Sequence, residues 1–171
     1  MTYPPVDPPV TYPPVRWTAE AAALSARRVP SDVVPDLVTA TGEVRYLAGA
    51  RHGDAELGVF RWSMGPQPSG PAPHFHRTMS ESFFVLSGQV RIFDGRDWVA
   101  CGSGDFVHVP PGGVHGFRNE SGAPADMLIL FAPGAPREAY FEELAAIGAS
   151  GRRLGDAERA ELYARHDQYP A

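Results

Sequence analysis

The sequence predicts an all-β domain, a sandwich or barrel, on three observations. Between Gly42 and Pro133, short runs rich in β-formers are broken at regular intervals by glycine or proline. Gly and Pro number 18 each in 171 residues, well above an average soluble chain, whereas 43% hydrophobic and 20% charged residues are ordinary values. Within the runs, apolar residues recur at every second position, the period of a half-buried strand. A chain of this length accommodates one domain with a substantial core.

Strands are expected near 44–48, 57–64, 82–87, 89–93, 97–100, 105–109, 114–118 and 126–132. Eight short strands of even spacing fit a closed barrel or a double-sheet jelly roll. Phe60, Trp62 and Met64 share one strand face, as do Glu81, Phe83 and Val85. An inward face that is aromatic with one carboxylate among it describes a pocket more than a solid core. Phe60, Trp62, Met64 and Phe83, with Phe117 further on, are therefore the expected substrate-contacting walls.

The flanks are of a different kind. Residues 1–41 form a Pro-rich arm in which TYPPV occurs at Thr2–Val6 and again at Thr11–Val15, with DPPV between. Paired prolines offer no ladder of donors, so an extended polyproline segment is expected, either lying over a partner subunit or free in solution. Residues 18–28 are expected as a short helix with Thr18 as cap and Pro30 as stop, and 31–41 as irregular chain. After the barrel, 42–133, the segment 134–171 changes to helical periodicity. One helix is expected with Pro136 at its first position, Phe141, Leu144 and Ile147 on one stripe, and Gly148 at its end. A second runs over 156–166 with Asp156 as cap and Arg165 and His166 at the close. Both are expected to pack on the outside of the sheet in a stabilising role, the first also serving as a lid.

Composition removes several functions. All 15 basic residues are arginines, which excludes lysine Schiff-base and pyridoxal-phosphate chemistry. A net charge of -5 without a basic stripe argues against nucleic acid, and no apolar run reaches bilayer-spanning length. A small molecule is the expected partner. The N-terminus lacks the charged-then-apolar pattern of a signal peptide, so a cytoplasmic location is expected. With that expectation, the acceptor pattern Asn119-Glu120-Ser121 carries no weight. Cys101 is the single cysteine, a small core residue by position, with a thiolate nucleophile as the weaker reading.

Spacing sorts the histidines. His74 and His76, two apart, point to the same side of an extended segment, and Glu81 follows at the start of an apolar run. In GDFVHVPPGGVHGFRN, Gly112 and Gly113 allow the positive φ that a tight turn demands, so the return strand can bring His115 beside the first pair. Imidazole nitrogens with one carboxylate suit a single first-row divalent ion, Fe, Mn, Co, Ni, Cu or Zn, and leave positions open for other ligands. His52, His108 and His166 are expected as polar rim residues.

These segments resemble the two cupin motifs. The first is His74-x-His76, four residues, Glu81, six residues, Gly88; the second is Gly104, five residues, Pro110-x-Gly112, two residues, His115, three residues, Asn119. The spacer between them, Gln89–Ser103, is like that of small bacterial cupins. The leading glycine of the first motif falls on Pro68, with Gly65 and Gly70 nearby. The resemblance implies a double-stranded β-helix (jelly-roll) barrel, usually a homodimer, with His74, His76, Glu81 and His115 as metal ligands. Cupins include dioxygenases, isomerases, decarboxylases, lyases, sensors and storage proteins, so the reaction must be argued from the site. The piece after the barrel is similar to that of single-domain, quercetinase-like members. The leading expectation is accordingly a dioxygenase of a small aromatic or enolisable substrate, with dioxygen as co-substrate and Glu81 as catalytic base. The alternatives are a metal-dependent isomerase, cyclase or decarboxylase in secondary metabolism, or a non-catalytic small-molecule-binding module.

Overall fold

A computed structural model describes residues 12–22, 24–53 and 56–171. In chain order its elements are β1 (Leu37–Thr39), β2 (Gly42–Ala48), a 3-10 turn (Ala50–His52), β3 (Gly58–Met64), β4 (His74–Phe75), β5 (Ser80–Ser87) and β6 (Gln89–Phe93). They continue with β7 (Trp98–Gly102), β8 (Phe106–Val109), β9 (Gly116–Arg118), β10 (Ala125–Ala132), α1 (Arg137–Ser150), α2 (Asp156–Arg165) and β11 (Tyr169–Pro170). One sheet has the order β1-β2-β3-β10-β5-β8, a second β7-β6-β9, and β11 pairs with β4; every pairing is antiparallel.

The expected alternation is realised in the register. Ile129 of β10 lies opposite Phe60 of β3 on one side and Phe83 of β5 on the other, and all three are at most 1% exposed. One row further along, Phe131 of β10 faces Glu81, so the inward carboxylate belongs to the same layered interior as the aromatic rings. Phe60 anchors that interior by edge-to-face contacts with Tyr46, Phe131 and Phe141 at centroid distances of 5.5, 5.8 and 5.2 Å.

Several expectations at the flanks are corrected. Among the described residues of 18–28 there is no helix. An alanine-rich stretch of that length is marginal in water unless it buries an apolar face, and Leu24 is 79% exposed. The first TYPPV lies outside the described residues; of the second, Tyr12–Val15 is irregular and exposed. Within 31–41, β1 forms as an edge strand because it pairs with β2, and Leu37 packs on the core. The strands β4 and β11 are too short to be read from periodicity. Helix α1 starts after Pro136 and runs two residues past Gly148 to a left-handed Gly151. In α2 the cap is Gly155, whose N–H donates to Glu158, and Asp156 is the first helical residue. Rather than lying only outside the sheet, α1 turns Tyr140 and Phe141 inward to close one mouth of the barrel, Phe141 meeting Trp62 at 5.0 Å.

The loop from Gly65 to Pro73 is held by Asn119. This side chain is fully buried, donates to the carbonyls of Gly65 and Ala123 at 2.8 and 2.7 Å, and accepts from the Ser121 N–H and hydroxyl. Gly70 has φ 138, and a Cβ there would stand 1.9 Å from the Phe117 carbonyl. The motif's leading glycine, which falls on Pro68, thus has a counterpart two residues later. Asn119→Ala removes four hydrogen bonds and is expected to cost about 1–3 kcal/mol, measurable by urea unfolding.

Candidate metal centre

The fold brings His74, His76, Glu81 and His115 together, with one ligand atom of each within 4.8 Å of the others and none more than 4% exposed. Two local devices do this. His74 and His115 exchange both backbone hydrogen bonds at 2.8 Å as an antiparallel bridge. Residues opposed in that way project to one face, and the two rings sit 4.4 Å apart. Gly112, at φ 80, donates its N–H to the His76 carbonyl at 2.7 Å, which fastens the turn before His115 to the first motif. His76 follows His74 by the strand period, while Phe75 points the other way and stacks on Tyr169.

Each ring is oriented from behind by a backbone carbonyl. Nδ1 of His74, His76 and His115 donates to the carbonyls of Ala72, Asp167 and Gly113 at 2.9, 2.6 and 2.9 Å. That leaves the three Nε2 atoms as the inward-facing ligands, the arrangement common at imidazole metal sites. Nε2 of His76 and Nε2 of His115 each stand 2.9 Å from Glu81 Oε2. A carboxylate facing two such nitrogens needs a proton or a metal ion to bridge the lone pairs at each contact. Burial pushes the Glu81 carboxyl up, but the His115 and His76 hydrogen bonds overcome it and hold the group well below the usual carboxylate range. Burial pulls His115 down, and the Glu81 carboxylate more than reverses that. His74 is pushed down to about 4 by burial and by His115, so its Nε2 is an available lone pair at neutral pH. Three imidazoles and one carboxylate, preoriented and shielded from solvent, fit a divalent transition ion.

The cluster lies beside a cavity of about 290 Å³, near the lower end of ligand pockets. His74 and Glu81 reach its wall, and Trp62 and Phe117 line it, their centroids 5.9 Å apart. Phe60, Met64 and Phe83 do not line it. They are 0–2% exposed in the core behind, Phe83 packing against the His115 ring at 5.9 Å. The two-residue period tells which side chains point inward, not which end of the barrel stays open. Ile129, Phe131, Arg137, Tyr140, Phe141 and Gln168 complete walls that sequence reasoning missed. His52 is exposed, His108 meets the Ser82 hydroxyl at 2.9 Å, and His166 pairs with Glu143; all three lie outside the cluster. Cys101 is a buried residue of β7 whose thiol is pushed up by burial, which fits its reading as a core residue.

The C-terminal segment therefore belongs to the site. Asp167, at φ 52, gives its carbonyl to His76 while its carboxylate accepts from the N–H groups of Arg77 and Thr78 and from the Thr78 hydroxyl. Asp167→Ala is expected to loosen this clamp and lower metal affinity ~10-fold, read by chelator competition.

The double-stranded β-helix and its His/Glu cluster define the class. Residues 60–131 match the Cupin domain family, and this match together with the cluster supports a place in the cupin superfamily. It is 31% identical over 77 residues to quercetin 2,3-dioxygenase of Bacillus subtilis (strain 168). That match covers 45% of this chain and 23% of the relative, so the chain spans about a quarter of that protein's length. Among solved structures, KdgF from Halomonas sp. is similar with a TM-score of 0.58 and 14% identity, covering 67% of this chain and 99% of that one. The polyketide cyclase RemF from Streptomyces resistomycificus is similar with a TM-score of 0.55 and 22% identity, covering 66% and 82%. At these identities the two structures show the fold alone. Among the described residues, no helix is long and apolar enough to cross a membrane.

Proposed function

We propose that the protein is a metal-dependent dioxygenase of a small aromatic or enolisable substrate, a quercetinase-like cupin. The observation that carries this reading is the set of three imidazoles, each fixed through Nδ1, gathered with Glu81 beside an aromatic cavity, Nε2 of His76 and of His115 standing on the Glu81 carboxylate. The match to a quercetin 2,3-dioxygenase supports the choice of reaction. His74, His76, His115 and Glu81 would hold the ion, which when bound supplies Lewis acidity toward a substrate hydroxyl or enol and, if redox-active, a path for electrons to dioxygen. Trp62 and Phe117 bind the apolar body of the substrate and keep water out. Glu81 is the only carboxylate among the described residues that line the cavity, so it is the group placed to take the substrate's hydroxyl proton.

A second reading, a non-oxidative isomerase, cyclase or decarboxylase, is favoured by Tyr140. Burial raises this phenol well above its ordinary value, which keeps it protonated in the cavity wall and able to donate to an enolate. Oxygen uptake separates the two. Metal-loaded protein incubated with a flavonol or a catechol in an oxygen electrode is expected to consume dioxygen in proportion to substrate. Turnover without uptake selects the second reading, and the absence of turnover with any of the six metals leaves a binding module.

A further inference from the structure

The cavity beside the cluster contains a buried cation that the chemistry above does not use. Arg137 is 4% exposed and lines the cavity at the first position of α1. Its Cζ lies 5.1, 4.3 and 5.4 Å from the ring centroids of Phe131, Tyr140 and Phe141. One terminal nitrogen donates to the His166 carbonyl at 2.8 Å and the other to Gln168 Oε1 at 3.1 Å, but Nε, although buried, has no acceptor. If Arg137 served only to tie the C-terminal segment to α1, its terminal nitrogens would suffice.

The electrostatics make the charge costly as it stands. A guanidinium on the first turn of a helix faces the positive end of the helix dipole. The acidic groups whose charge reaches it are Glu81 and Asp167. Glu81 is engaged by His76 and His115, and Asp167 by Arg77 and Thr78. The neighbouring Glu138 turns away to accept from the Arg51 N–H. When a divalent ion sits on three neutral imidazoles and one carboxylate, the cluster carries net positive charge and Arg137 adds to it. An apolar cavity holding that charge is matched by an anionic occupant, and a buried arginine Nε–H without an acceptor is a ready charge-assisted donor to a carboxylate.

We propose that Arg137 is a specificity-determining residue that binds a carboxylate on the substrate, so that the site takes small aromatic acids in preference to their neutral counterparts. This rests on the reading of the cavity as the substrate site and adds the substrate's charge. The test uses 2-hydroxybenzoate and its neutral isostere 2-hydroxybenzamide, with binding followed by calorimetry and by tryptophan fluorescence, since Trp62 lines the cavity. Metal-loaded wild-type protein is expected to bind the acid at least ~10-fold tighter than the amide. Metal-free wild-type protein is expected to keep a smaller preference of the same sign, which separates Arg137 from direct coordination. Arg137→Gln is expected to lose the preference at unchanged metal content, and Arg137→Lys to keep part of it. Equal binding of the two probes, no binding of either, no preference in the metal-free protein, or a preference that survives in a folded Arg137→Gln protein would each overturn the proposal. Selective binding of the acid without oxygen uptake on any substrate would overturn the dioxygenase reading and leave this one standing.

Discussion

Replacing Phe60 by alanine is expected to destabilise the protein by about 3–5 kcal/mol. The ring is fully buried at the meeting of β3, β10 and α1, and its loss forfeits three edge-to-face contacts while leaving a void that close-packed strands cannot fill. For a domain of this size, that corresponds to a fall in Tm of roughly 6–20 °C. The comparison with Trp62→Ala makes the measurement informative. Trp62 lies on the same strand face but is partly exposed to the cavity, so its removal is expected to weaken substrate binding more than folding. If calorimetry showed the two variants equally destabilised and equally impaired, the division between sealed core and cavity wall would be wrong.

Glu81→Gln is expected to have the largest effect on the site. The amide preserves shape and removes the one charge that His76 and His115 converge on. Metal affinity should fall by more than ~100-fold, because partners that act only through a ligand are already worth about 10–100-fold. Turnover should also be lost when excess metal restores occupancy, since no other carboxylate among the described residues lines the cavity to receive the substrate's proton. Restored occupancy with retained turnover would remove Glu81 from the role of base while leaving it as a ligand.

The parts of this protein that were legible in the sequence are those whose physics is local. Period-two alternation placed β3, β5 and β10 because each turns one face inward, and Phe60, Phe83 and Ile129 meet in one row as a result. The four cluster residues fall within two short segments at fixed spacing, so the strand period and one glycine turn were enough to bring them together. What stayed hidden is carried by long-range or backbone contacts. His76 is oriented by the carbonyl of a residue 91 positions away, and a carbonyl leaves no mark on side-chain identity. Arg137 belongs to no motif, and nothing in its sequence neighbourhood announces that α1 turns inward over the barrel mouth. The expected 18–28 helix failed for the opposite reason: its propensity is favourable, but Leu24, its one leucine, stays exposed and buries no apolar face.

Metal analysis of the purified protein beside a His76→Ala variant tests the central claim most directly. The cluster geometry predicts roughly one equivalent of a divalent transition ion per chain for the native protein and little for the variant, with unfolding data showing that the variant remains folded. Equal metal in the two proteins, or none in either after exposure to each of the six ions, would contradict it.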